Sequence, residues 1–249
     1  KMTVCGTQKY ANDGLTTFKS LVEHVSGHEA IIVHIFHDGG EAVREHFLDH
    51  VASASADLAA IKVDVRLHRV SVKHQESWMP SHLLCSGQRL DLPSILLGVD
   101  AVLYIDSDVI INQDLAVLWR QFATLPAAAG IGMTRDQEMS DYEEVTAGWR
   151  QLHIAADTAV RPDRNVFNAG VMFMNLTAMR AWGWPVKVRE AVGGVRAAEL
   201  FGLYGDNDLV DFLCAHNNGF CHPLPCELNW RKYASCSQFP DIVHAAGRF

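Results

Sequence analysis

Val99-Asp100-Ala101-Val102-Leu103-Tyr104-Ile105-Asp106-Ser107-Asp108 decides how this chain is read. It begins as a β-branched and aromatic apolar run, the composition of a strand buried on both faces, and stops at two carboxylates one residue apart. At a strand end, where the backbone turns away, aspartates at i and i+2 can both aim at one hard divalent cation, because such ions prefer oxygen ligands. In an open α/β sheet ligands bind beyond the carboxyl ends of the strands, and this pair stands there. An Asp-x-Asp by itself is equally a turn or a cap, so the rest of the chain has to decide.

On the amino-terminal side the segments alternate in type. Met2 to Gly6 reads as a strand, followed by a helix capped by Asn12 or Asp13 with Leu15, Phe18, Leu21, Val22 and Val25 on one face. Ala30 to Phe36 is a second buried strand, and Asp38-Gly39-Gly40 turns it into a helix from Glu41 to Val51. Ile61 to Val72 alternates apolar and charged residues and predicts one or two more exposed strands. Between Ser86 and Leu97 a helical pattern carries Arg89, a guanidinium placed to meet a phosphate or to orient Asp106. Strands separated by helices imply an α/β fold with a mixed, open, Rossmann-like sheet flanked by helices.

On the carboxyl-terminal side Val109-Ile110-Ile111 leads to a short helix through Trp119, and Ala127 to Gly132 reads as a small-residue strand. Residues 136 to 164 are polar and aperiodic, with Trp149 among them, and read as an excursion at a site rim. Asn168-Ala169-Gly170 precedes a buried strand and supplies an amide side chain and a bare backbone that a ligand can approach. Asn175-Leu176-Thr177 has the form of a glycosylation acceptor but adjoins that core strand. Asp206 can cap a helix with Leu209, Val210 and Leu213 inward, leaving Asp206 and Asn207 at its exposed start. His244 follows Ile242-Val243 and ends a strand.

Composition narrows the classes. Hydrophobic residues at 49% and charged residues at 20% describe a globular chain. The net charge of −8 and the lack of a long Lys/Arg run argue against nucleic acid as a partner. The 249 residues suit one domain of ordinary size or a compact pair of half-domains, over about 1–115 and about 116–249. No stretch has the roughly 20 apolar residues of a membrane helix. The opening Lys1-Met2-Thr3-Val4-Cys5 reads as a strand already inside a fold, which predicts a longer parent chain that carries any anchor. Cys214, Cys221, Cys226 and Cys236 crowd the end of the chain without zinc-site spacing, and allow either two disulfides or buried thiols.

Several segments taken together resemble the retaining glycosyltransferases of family 8, and within them the glucoside xylosyltransferases. They are Cys85 to Pro93, Val99 to Asp108, Asn168 to Thr177, Gly205-Asp206-Asn207-Asp208, Pro225-Cys226-Glu227-Leu228-Asn229-Trp230-Arg231 and Ile242-Val243-His244. The resemblance implies a GT-A fold, a UDP-sugar donor, a glycan or glycoprotein acceptor and a Mn²⁺ ion, with Mg²⁺ as the alternative. By the same likeness Asp106, Asp108 and His244 are the metal ligands. Thr7, Tyr10, Arg89, Asp106, Ser107, Asn168, Ala169, Gly170 and Arg248 are the donor-binding positions, Thr7 and Tyr10 in the loop that takes the base. Asp206 and Asn207 are the catalytic pair, and Asn207 departs from the family's glutamine by one shorter amide. The resemblance and the cysteines also imply a secretory lumen, Golgi or ER. Rival readings are the same fold using UDP-glucose or UDP-galactose, and a catalytically weak sugar-nucleotide or carbohydrate-binding module.

Overall fold

The structure, a computed structural model, describes residues 1–26, 30–70, 85–135, 167–197, 206–215, 219–232 and 234–245. The chain forms two compact units that take turns along the sequence: Lys1–Ser71, Leu103–Thr124 and Pro225–Phe249 build the first, and Val72–Val102 with Leu125–Leu224 the second.

In the first unit, β1 (Met2–Val4) lies between β2 (Ile31–His37) and β4 (Ala101–Ile105), and β3 (Val63–Arg69) runs outside β2, all parallel. The inner strands are apolar because both faces are covered, and Met2, Val4, Ile35, Tyr104 and Ile105 are buried. β3, at the edge, alternates as predicted, and it is one strand.

Helix α1 (Gln8–Glu23) starts one turn earlier than the caps foreseen at Asn12 and Asp13, which lie inside it, and so Tyr10 is helical and not in a loop. Its buried face is also richer in small residues than predicted: Ala11, Gly14, Thr17 and Ser20 accompany Phe18 and Leu21. Close approach explains this. A Cβ at Gly14 would come within 2.8 Å of Val4, so only a residue without one lets α1 lie so near β1. The helix foreseen from Glu41 is continuous to Ser53 but is wound as a π-helix over Arg44–Leu48, between α2 (Glu41–Val43) and α3 (Asp49–Ser53); α4 (Ser55–Ala60) follows. β5 (Val109–Ile111) and β9 (Ile242–His244) form a separate antiparallel pair. Between them in sequence, Asp114 caps α6 (Leu115–Trp119) by accepting from the Ala116 and Val117 N–H groups.

In the second unit, β6 (Ile131–Arg135) pairs antiparallel with β7 (Phe167–Asn175) and parallel with β8 (Cys221–Leu224). The strand foreseen over residues 127 to 132 therefore begins four residues later, because Pro126 to Gly130 make a turn in which the Ala129 N–H donates to the Pro126 carbonyl. Helices α5 (Gln88–Ile95), α7 (Leu176–Trp182), α8 (Trp184–Ala197) and α9 (Asp206–Ala215) complete the unit. Asn175 spends its side-chain oxygen capping α7, and Thr177 donates its hydroxyl to Asp100, so the acceptor-like triplet is a helix start. Gly183 ends α7 in the left-handed region at φ 81°. Cys214–Cys221 and Cys226–Cys236 are disulfides, the first of the two alternatives left open by the sequence. Among the described residues no helix is long and apolar enough to cross a membrane. The excursion over 136–164, with Trp149, lies outside the described residues, as does Arg248.

Candidate active site

The candidate functional side chains fall into two groups, one in each unit. In the first unit, Tyr104 and Asp106 are two residues apart at the end of β4, so their side chains leave the chain on the same side. The buried Tyr104 hydroxyl donates to Asp106 Oδ1 at 2.5 Å. The following loop is held from below by α1. Thr17 Oγ1 donates to the Ser107 carbonyl at 2.8 Å and accepts from the Val109 N–H at 3.0 Å, while Ser20 Oγ accepts from the Ile111 N–H at 3.1 Å. These hydroxyls take the backbone groups that β5 leaves unpaired on that edge.

The other edge of β5 carries β9, in a register that sets Val109 opposite His244. The Ala245 N–H donates to the Asp108 carbonyl at 3.0 Å, and His244 Nε2 lies 3.4 Å from Asp108 Oδ1. Asp106, Asp108 and His244 each offer a ligand atom within 4.8 Å of the others. Two carboxylate oxygens and one imidazole nitrogen at that spacing fit a borderline divalent ion such as Mn²⁺. The structure thus brings together the three residues, 138 positions apart at the extremes, that the resemblance names as ligands.

In the second unit the informative feature is a break in the β6–β7 ladder. Met133 pairs with Met172 and Thr134 with Asn168, so Ala169, Gly170 and Val171 bulge from β7 with no partner on β6. Side chains take the freed backbone groups. The Ala169 N–H donates to Asn207 Oδ1 at 2.8 Å, Arg89 Nη1 donates to the Ala169 carbonyl, and the Gly170 N–H donates to Asn168 Oδ1 at 3.0 Å. Asn207 also donates through Nδ2 to the Phe167 carbonyl at 3.0 Å, so both ends of its amide lie on the β7 backbone. The neighbouring Phe167 N–H donates to Asp211, one turn further along α9.

Asp206 is not at an exposed helix start, as foreseen, but buried. Its Oδ2 lies 2.5 Å from Arg89 Nε, and the two side chains are 7% and 5% exposed. That Nε–H points at the Ser86 carbonyl, 3.0 Å away, so the Asp206 contact is one of charge. Ser86 Oγ donates to Asp206 Oδ1 at 2.7 Å, whereas Oδ2 is buried and accepts no hydrogen bond among the described residues. A carboxylate oxygen desolvated without a hydrogen-bond donor is costly, and the charge of the adjacent guanidinium offsets that cost.

The remaining expected positions are simpler. Thr7 is the exposed N-cap residue of α1, and Tyr10 is half-exposed in its first turn. Ser107 contributes its carbonyl to Thr17. Sequence reasoning gave no role to Tyr104, Thr17, Ser86 or Asn229. The two-residue spacing of Tyr104 from Asp106 was a usable signal. Thr17 and Ser86 lie 90 to 120 positions from the residues they serve on a different element, beyond reach of any local pattern, whereas Asn229 is 15 from His244.

The family model described as Glycosyl transferase family 8 matches residues 1–202. Glucoside xylosyltransferase 2 of Mus musculus is 28% identical over 250 residues, 92% of this chain and 51% of that protein. The chain spans about half the length of the curated relatives it matches. Among solved structures, mouse xyloside xylosyltransferase 1 in its apo form superposes with a TM-score of 0.70 at 20% identity, covering 98% of this chain and 96% of the other. A galactosyltransferase, LgtC, solved with donor and acceptor sugar analogues, gives a TM-score of 0.74 at 20% identity, covering 99% and 87%.

Proposed function

Because the chain belongs to glycosyl transferase family 8 and has the GT-A fold, we propose that it moves a sugar, xylose in preference, from a UDP-sugar to a hydroxyl of a glycan or glycoprotein, with Mn²⁺ and with retention at the anomeric carbon. The observation that carries this reading is the trio of Asp106, Asp108 and His244 with ligand atoms within 4.8 Å. When bound there, the cation supplies positive charge to the diphosphate leaving group.

The protein's own residues do the rest. Tyr104 and Thr17 hold Asp106 and the Ser107 loop in place, so that no reorganisation is needed as charge develops. Asp206, paired with Arg89, is the carboxylate that stabilises positive charge at the anomeric carbon. That its Oδ2 accepts no hydrogen bond among the described residues supports that assignment. Asn207, Arg89 and Asn168 hold the Ala169–Gly170 backbone that borders the sugar, and Thr7, Tyr10, Ser107 and Arg248 complete the donor contacts. Front-face attack, in which the leaving phosphate takes the acceptor proton, needs no protein nucleophile and suits a site whose carboxylate is already paired. The disulfides favour an oxidising compartment, a secretory lumen such as the Golgi or ER.

The test is a panel of UDP-sugars with and without Mn²⁺, read first as thermal stabilisation and then as donor hydrolysis. Stabilisation and turnover confined to UDP-xylose with Mn²⁺ uphold the reading. A preference for UDP-glucose or UDP-galactose replaces the donor, and binding without hydrolysis leaves a sugar-nucleotide-binding module.

A further inference from the structure

Asn229 closes the 3₁₀ turn Cys226–Asn229 and is 4% exposed. Its Oδ1 lies 3.1 Å from Nδ1 of His244, itself 7% exposed. The two residues are locked in register by the backbone on either side. The Trp230 N–H donates to the Ile242 carbonyl and the His244 N–H to the Trp230 carbonyl, both at 2.8 Å, and the Asp241 N–H donates to the Glu227 carbonyl at 2.9 Å. From the far side, the Cys226–Cys236 disulfide and the Glu227 carboxylate, which accepts from Ser237 Oγ and the Gln238 N–H, fix the same turn.

An amide oxygen only accepts, so the 3.1 Å contact requires the proton of a neutral imidazole to be on Nδ1. Nε2 then carries the lone pair, and it is Nε2 that stands 3.4 Å from Asp108 Oδ1. That separation is longer than a charge-assisted hydrogen bond to a carboxylate, so the contact does not require a proton on Nε2.

We propose that Asn229 is a positioning residue that fixes the tautomer of His244, holding the proton on Nδ1 and presenting Nε2 as an open ligand atom beside Asp108. The tautomer follows from contacts within the protein alone. Its consequence for metal uptake rests on the function proposed above. Outer partners of ligating histidines raise metal affinity by about 10–100-fold.

The test begins with ¹⁵N NMR of the imidazole rings in the metal-free chain near pH 8.5, His244 being assigned by its loss in His244→Gln. The expected spectrum has Nδ1 protonated and Nε2 bare. In Asn229→Leu, of similar volume and without an acceptor, the proton moves to Nε2, where Asp108 can take it, and Mn²⁺ affinity by calorimetry falls at least about 10-fold. Asn229→Asp keeps an acceptor, the Nδ1–H tautomer and an affinity within a few-fold of the parent. Should Asn229→Leu fail to fold by circular dichroism, the parent and Asn229→Asp spectra decide. A parent ring protonated on Nε2, or an Asn229→Leu variant unchanged in both tautomer and affinity, overturns the proposal. A parent protonated on Nδ1 that takes up no Mn²⁺ upholds the tautomer assignment and removes the metal reading instead.

Discussion

Asp108, Tyr104 and the Arg89–Asp206 pair concentrate the chemistry of this protein at single positions. Asp108 meets His244 across a strand pair and has no substitute within the described trio, so Asp108→Asn should abolish Mn²⁺-dependent donor hydrolysis while leaving the thermal midpoint of the metal-free protein near that of the parent. Calorimetric Mn²⁺ titration with a melting curve checks both halves. Tyr104→Phe removes one donor from Asp106 Oδ1 and changes nothing in shape. A buried hydrogen bond to a charged group is worth about 1.5–3 kcal/mol, and urea unfolding should show a loss of that order together with weaker Mn²⁺ binding. Arg89 and Asp206 are a different case, because removing one member of a buried pair leaves the other charge uncompensated. Arg89→Met should cost about 3–5 kcal/mol, and Arg89→Met with Asp206→Leu should recover much of it in a double-mutant cycle.

At the scale of elements, the β2–β3 pair carries a pH dependence. His34 is buried in β2, its Nδ1 is 2.9 Å from His68 Nε2 of β3, and Arg66 lies on the same edge strand. Burial pushes the His34 imidazole down to about 4, and burial lowers His68 and His37 as well. In the unfolded chain these rings take a proton near pH 6.5. Between that value and about 4 the unfolded state therefore binds protons that the folded state refuses, so stability is full above the window and declines as pH falls through it. Unfolding free energies from urea titrations at about pH 7.5 and 5 should differ by on the order of 2 kcal/mol, and His34→Gln should flatten the difference. The β6–β7 bulge shows the opposite use of a strand. Three residues of β7 leave the β6 ladder, and Asn207 and Arg89 take the N–H and carbonyl of Ala169 among them, groups that pairing with β6 would have kept from a site.

At the scale of the molecule, the disulfides and the late strands matter most. Cys226–Cys236 closes a short loop around Glu227 and Asn229, and replacing both cysteines by serine should cost about 2–3 kcal/mol by loop entropy and loosen Mn²⁺ binding with it, read by unfolding and titration in parallel. Much of this was legible along the chain. The apolar run before Asp106, the edge alternation of Val63–Arg69 and the strand ending at His244 all follow from local period and composition, and the family's motifs name the ligand trio. What local pattern could not give were contacts made between elements. Burial of Asp206 depends on Arg89 and Ser86, 117 and 120 positions away, the α1 hydroxyls that hold the Ser107 loop come from a helix 90 positions earlier, and the close approach of α1 to β1 rests on Gly14 meeting Val4. The sequence by itself determined which residues could bind a cation and which segments would be strands, since ligand chemistry and side-chain period are properties of neighbours in the chain. Only the tertiary structure decided which nitrogen of His244 faces Asp108 and which backbone groups Asn207 takes, because hydrogen bonds are directional and their partners are set by register and packing.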